Sequence, residues 1–165
     1  MTSIQSFGVG GDWAVRKWDA NSGALLATFK GVNGHSKAVT ALFPIREYVI
    51  SSSLDKKMKV YSPLTDDSGP QVDATEEVTT MALAKSVNGR PLLVCGSSNG
   101  NIMIRSLAVT GSPLLLLRKI VSFSIAPAGH TRSTVQSIEA GTEGNTFCSM
   151  DDGKLIFWRI NGDLW

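Results

Sequence analysis

His35, Ser51 and Asp55 are the residue types that together can attack an acyl group: a base, a hydroxyl nucleophile and a carboxylate to orient the base. Their surroundings argue against that chemistry. Ser51 falls inside an expected strand and has no Gly-x-Ser-x-Gly elbow around it. Cys95 and Cys148 have no Cys-x-x-Cys partner and no metal-ligand spacing, so both read as core residues and no metal is expected. Gly8-Val9-Gly10-Gly11 precedes a strand, not a helix, which leaves a phosphate cradle unsupported. Lys56, Lys57 and Lys59 gather beside one turn, on the same face as Lys37. They could meet a phosphate or an acidic peptide, but with no interleaved aromatic residues they read first as a solvated turn.

The elements that carry these residues repeat. A turn Asp or Asn is followed six residues later by a strand residue in Asp12 and Trp18, Asp55 and Tyr61, Asn99 and Arg105, and Asp152 and Trp158. The turn residues step by 43, 44 and 53 positions. Short alternating runs surround them, separated by turn signals such as Asn21-Ser22-Gly23, Asn88-Gly89 and Asn99-Gly100. Strands are expected at 4–9, 14–18 and 24–29, then 38–43, 47–53, 57–61 and 71–73. Further strands are expected at 78–84, 91–97, 101–106 and from Pro113, then 135–139, 146–149 and 154–160. The residues from Ser62 to Gly69 read as a loop, and the long last interval as a lengthened outer strand with a loop between Leu114 and His130.

A period of roughly 40–45 residues with Gly-His near its start and Trp-Asp near its end marks four-stranded propeller blades. Gly34-His35 and Gly129-His130 carry the first signal and Trp18-Asp19 the second. The chain resembles the WD-repeat β-propeller family over nearly its whole length. That resemblance implies an all-β propeller with blades at about 1–31, 32–73, 74–125 and 126–165, the first lacking its first strand and the last lacking its last. It also implies a structural tetrad at His35, Ser51, Asp55 and Tyr61, and a second at His130, Cys148, Asp152 and Trp158. In the third blade Asn99, Arg105 and the absence of Gly-His depart from the pattern, so it is expected to be the least rigid. With about three and a half to four blades, the chain is expected to be a partial, C-terminal section of a larger propeller. Its open ring is expected to need another chain or further blades to close it, and a compact four-bladed closure comes second.

Within the class, Val49–Tyr61, Arg90–Gly96 and Gly153–Trp158 are similar to the C-terminal part of plant CCCH-zinc-finger WD-repeat proteins. Those relatives are thought to bind nucleic acid through a zinc finger upstream of the propeller. No Cys₃His cluster occurs here, so that activity does not carry over.

With 42% hydrophobic and 18% charged residues the chain is globular in composition, and 16 Lys and Arg against 14 Asp and Glu leave no global field for nucleic acid or membrane. The longest apolar run, Pro113 to Leu117, is too short to cross a membrane as a helix. The N-terminus carries no secretory pattern, which favours cytosol or nucleus. The expected function is a non-catalytic platform for other proteins or peptides, without a cofactor. Lys37, Lys56, Lys57, Arg132 and Asp151 lie on or beside its candidate loops. The alternative is nucleic-acid association as part of a longer protein, and a propeller hydrolase comes last.

Overall fold

A four-residue turn closed by a left-handed residue recurs at the same point of four hairpins. The N–H of its fourth residue donates to the carbonyl of its first in Trp13→Gly10, Lys56→Ser53, Gly100→Ser97 and Gly153→Met150, at 3.1–3.3 Å. The fourth residue has φ between 64° and 81° at Trp13, Gly100 and Gly153, and 63° at Lys56. Such a turn reverses a strand within three residues and matches the right-handed twist of the pair it joins.

The computed structural model describes residues 5–45, 48–62, 64, 68–86, 89–110, 114–124, 133–141, 145–150 and 152–160. It divides into two compact units, Met1–Thr75 and Glu76–Trp165. In the first, β1 (Gln5–Val9), β2 (Val15–Asp19) and β3 (Leu25–Phe29) form one antiparallel sheet. A single 3₁₀ turn, Gly31–Asn33, leads to a second sheet of β4 (Val39–Ile45), β5 (Tyr48–Ser53), β6 (Lys57–Tyr61) and β7 (Ser68–Asp73), in sequence order. In the second unit β8 (Val78–Lys85), β9 (Pro91–Ser97), β10 (Asn101–Thr110) and β11 (Leu114–Ser124) form a four-stranded meander. The last sheet is β12 (Val135–Ala140), β13 (Asn145–Met150) and β14 (Leu155–Arg159).

Side chains alternate across a strand, so a strand covered on both faces buries every residue. This is the state of β5, buried throughout, and of β9 from Leu92 to Ser97. In the first unit Val15, Phe29 and Tyr61 pack together with Phe7, Val39 and Leu42 around them, and the rings of Phe29 and Tyr61 stand 4.6 Å apart. In the second unit β12 packs on β8 and β9, so that Leu92, Val94, Ile102 and Ile104 meet Val135, Ile138, Cys148 and Met150.

The sheets share their irregularities too. The first strand carries a bulge between Val39 and Ala41, between Val78 and Thr80, and between Val135 and Ser137. The pairing of third strand with fourth slips just before Trp18, between Lys59 and Tyr61, and just before Arg105. A bulge re-aims the side chain beside it.

Two expectations are corrected. The loop expected over Ser62–Gly69 ends earlier, because β7 already begins at Ser68, opposite Tyr61. The extra residues of the long interval lengthen both strands of a hairpin and not the outer strand alone: β10 runs on to Thr110, paired with Leu114. The loop from Ala126 to Ser133 lies outside the described residues except for Ser133.

Candidate functional site

The turn after β5 and the loop before β4 present backbone N–H groups that need acceptors, and Asp55 and Ser53 supply them. Asp55 Oδ1 accepts from Lys57 N–H at 3.0 Å and its Oδ2 from Ser36 N–H at 3.0 Å, while Ser53 Oγ accepts from Asp55 N–H at 3.0 Å. The same Oδ2 lies 2.9 Å from His35 Nδ1, and His35 Nε2 lies 2.5 Å from Ser51 Oγ. An ionised carboxylate only accepts, so Nδ1 carries the ring proton and Ser51 donates to Nε2. Burial lowers the His35 pKa, against the pull of the Asp55 carboxylate, so the ring is neutral. Burial would raise Asp55, but the Ser36 N–H and His35 hold its pKa below the usual range. Burial pushes the Tyr61 phenol up to about 12, with Ser51 opposing, and the single phenol proton faces both Ser51 Oγ and the Asn33 carbonyl, the latter 3.4 Å away.

His35, Ser51, Asp55 and Tyr61 are therefore one connected set. Its order, carboxylate to Nδ1 and hydroxyl to Nε2, is also that of a hydrolytic triad. The hydroxyl decides between them. Ser51 is wholly buried in β5, paired to Leu42 on one side and Lys59 on the other, and the His35 ring is fully covered. An attacking serine needs a substrate carbonyl at its oxygen and free donors for the oxyanion beyond it. This strand, laddered on both sides, gives neither.

The other turns solve the same problem differently. In the last sheet Asp152 Oδ1 accepts from Lys154 N–H at 3.2 Å, and Lys154 and Ser133 keep its carboxyl below the usual range. Cys148 is raised by burial, with the Trp158 indole opposing, which places the two side by side as Ser51 and Tyr61 are. His130, Arg132 and Asp151 lie outside the described residues. In the first sheet Asp12 is exposed, bonded to Arg16 at 2.6 Å and Lys30 at 2.6 Å, and held well below the usual carboxylate range by them. Trp18 instead closes on Gly8, where a Cβ would stand 3.0 Å from its ring. Asp19 caps the next turn, its Oδ1 accepting from the N–H groups of Asn21 and Ser22.

The third sheet holds a network that sequence reasoning missed. Glu76 accepts from Ser97 Oγ and from Asn101 Nδ2, both at 2.7 Å, and Glu77 accepts from Ser98 Oγ at 3.2 Å. Ser97 in turn accepts from the N–H groups of Asn99 and Asn101. A glutamate from the preceding loop thus does for this turn what Asp55 does in the second sheet. The signal available was the pair Glu76-Glu77 just before a first strand. Arg105, at the aromatic's position, is buried, and Cys95 nearby is pushed up to about 12 by burial, with Arg105 opposing.

The basic cluster needs correction. Lys37 and Lys56 are exposed and Lys57 half-buried, but Lys59 points inward, 3% exposed, and donates to the Val32 carbonyl at 2.8 Å. Its residue number put it beside the turn, but both faces of β6 are covered. Among the described residues no group of His, Cys, Asp and Glu could hold a metal ion.

Residues 23–62 match the family model for "WD domain, G-beta repeat". That span joins β3 of the first sheet to β4–β6 of the second. Among solved structures the chain is similar to the computationally designed Ika4 protein, at 23% identity and TM-score 0.64 over 98% of this chain and 88% of that one. It is similar to the designed Ika8 protein at 22% identity and TM-score 0.65, over 97% of this chain and 44% of that one. A chain of the Mitotic Checkpoint Complex matches at 24% identity and TM-score 0.72, over 96% of this chain and 48% of that one. The chain thus spans about half the length of the last two. No curated protein matches the sequence. Such identities speak for the fold alone: all-β, built of WD-type propeller blades, with the repeat's own sequence pattern in residues 23–62.

Proposed function

We propose that this chain is a non-catalytic scaffold for contact with other proteins or peptides, and that His35, Ser51, Asp55 and Tyr61 are the frame of its second blade. The observation that carries this reading is the wholly buried Ser51 hydroxyl, tied through His35 to a carboxylate that fixes two loops. A buried polar chain of this kind is stable when every member is satisfied, and it pins the loops it joins. Loops held by a rigid sheet are the usual place for recognition. The candidate surface is the turn side of the first unit's two sheets, with Lys37, Lys56 and Lys57 within it. Likeness to a chain of a multiprotein complex supports protein partners. The likeness to plant zinc-finger WD-repeat proteins rests on its three sequence stretches, and nucleic-acid association has no observation in its favour.

Ser51→Ala tests the frame. Losing one member of a buried hydrogen-bonded set costs about 1–3 kcal/mol. The expected outcome is a lower urea midpoint in the variant, with no turnover of p-nitrophenyl acetate by the wild type. Ester turnover in the wild type that the variant loses would reverse the assignment.

A further inference from the structure

The four matching turns place a left-handed residue at the same position, and two of them fill it with glycine, Gly100 and Gly153. The other two hold Trp13 at φ 64° and Lys56 at φ 63°. A side chain at such φ is disfavoured because its Cβ crowds the neighbouring carbonyl. Strain of this sort is retained where the displayed side chain has a use. Neither side chain serves the fold as core: Trp13 is 48% exposed and Lys56 is exposed.

The two turns belong to one bonded surface within the first unit. Lys30 joins the loop to Asp12, and Val32 O takes the Lys59 ammonium. Ser36 N–H meets Asp55, and the Lys37 carbonyl accepts from Ser53 Oγ at 3.2 Å. That surface presents Val32 at 91% exposure beside Lys30, Lys37 and Lys56. Its carboxylates are already engaged, Asp12 by Arg16 and Lys30 and Asp55 by His35 and two backbone N–H groups.

We propose that Trp13 and Lys56, with Lys30, Val32 and Lys37, form a docking surface for an acidic peptide that carries a large apolar side chain beside its carboxylates. The inference rests on the scaffold reading and names its site and partner class. Charge complementarity selects the acidic partner, and the exposed indole and valine select the apolar side chain. A nucleic-acid strand fits less well: among the described residues Trp13 is the one exposed aromatic of this surface, and Asp12 beside it would face the phosphates.

Selection of random phage-displayed peptides on the full chain tests this. The expected consensus sets Asp or Glu next to Leu, Phe or Trp. A synthetic peptide of that sequence should lose about tenfold or more in affinity on Trp13→Gly, on Lys56→Gly and on Lys56→Glu. Both glycine variants should melt at the wild-type temperature or a few degrees above it, since strain is relieved. Peptides without acidic residues, or affinities unchanged in the variants, would overturn the site while leaving the scaffold. Lower melting temperatures in the glycine variants would overturn it too, by showing that these residues serve the fold. A thymidine oligonucleotide bound more tightly than the peptide would replace it with the nucleic-acid reading. Selection of no peptide at all would overturn the site while leaving a scaffold for folded proteins.

Discussion

His35 makes two contacts that require opposite things of its ring, a donor at Nδ1 and an acceptor at Nε2, and only the neutral imidazole offers both. Protonation therefore opposes the fold. With the folded pKa lowered by burial, the unfolded chain takes up the proton first as pH falls below about 6.5, and stability falls from there down to the folded pKa. Asp55, also lowered in the fold, adds a second loss that begins as pH falls below about 3.8 and runs down to its lower folded pKa. The melting temperature should thus decline between pH 7 and 5 in the wild type, and His35→Gln should flatten that first decline. A wild-type profile already flat over this interval would show that His35 is not held neutral.

At the scale of elements, the contact of β12 with β9 depends on the absence of a side chain. A Cβ at Gly96 would stand 2.5 Å from Val135 Cγ1, so Gly96→Ala should destabilise the second unit by about 1–3 kcal/mol in urea unfolding. Glu76→Ala should cost a similar amount, because it strips acceptors from Ser97 and Asn101. An unchanged midpoint in either variant would remove that contact from the account. The strands themselves were legible in the sequence, β6 and β9 to the residue, because turn chemistry and alternation are local signals. What was not legible depends on partners far along the chain. Glu76 meets Ser97 and Asn101 across 21 and 25 positions, and no local pattern announces it. Alternation also failed for Lys59, since a strand with both faces covered has no outer side for a lysine to take. The tetrad offsets found Asp12 and Asn99 as turn residues, but their side-chain partners differ from sheet to sheet.

At the scale of the whole molecule, the four sheets do not end alike. Met58, Val60, Ile102 and Ile104 are at most 2% exposed in their third strands, yet Leu155 and Phe157 at the matching positions of β14 are 73% and 58% exposed. Among the described residues β14 pairs with β13 alone, and an apolar strand at such an edge is prone to self-association. Light scattering should show a mean mass that rises with concentration, and Leu155→Lys with Phe157→Lys should bring it towards 17.6 kDa. A wild-type mass constant at that value over the same range would contradict this.

The left-handed turn position also has a consequence for chirality. At φ 81°, Gly153 occupies a conformation that an L-residue resists and its mirror-image counterpart prefers. Semisynthesis with D-alanine at 153 would hold the turn in its folded shape and restrict the unfolded chain, so the handedness of a single carbon becomes a means of stiffening the blade.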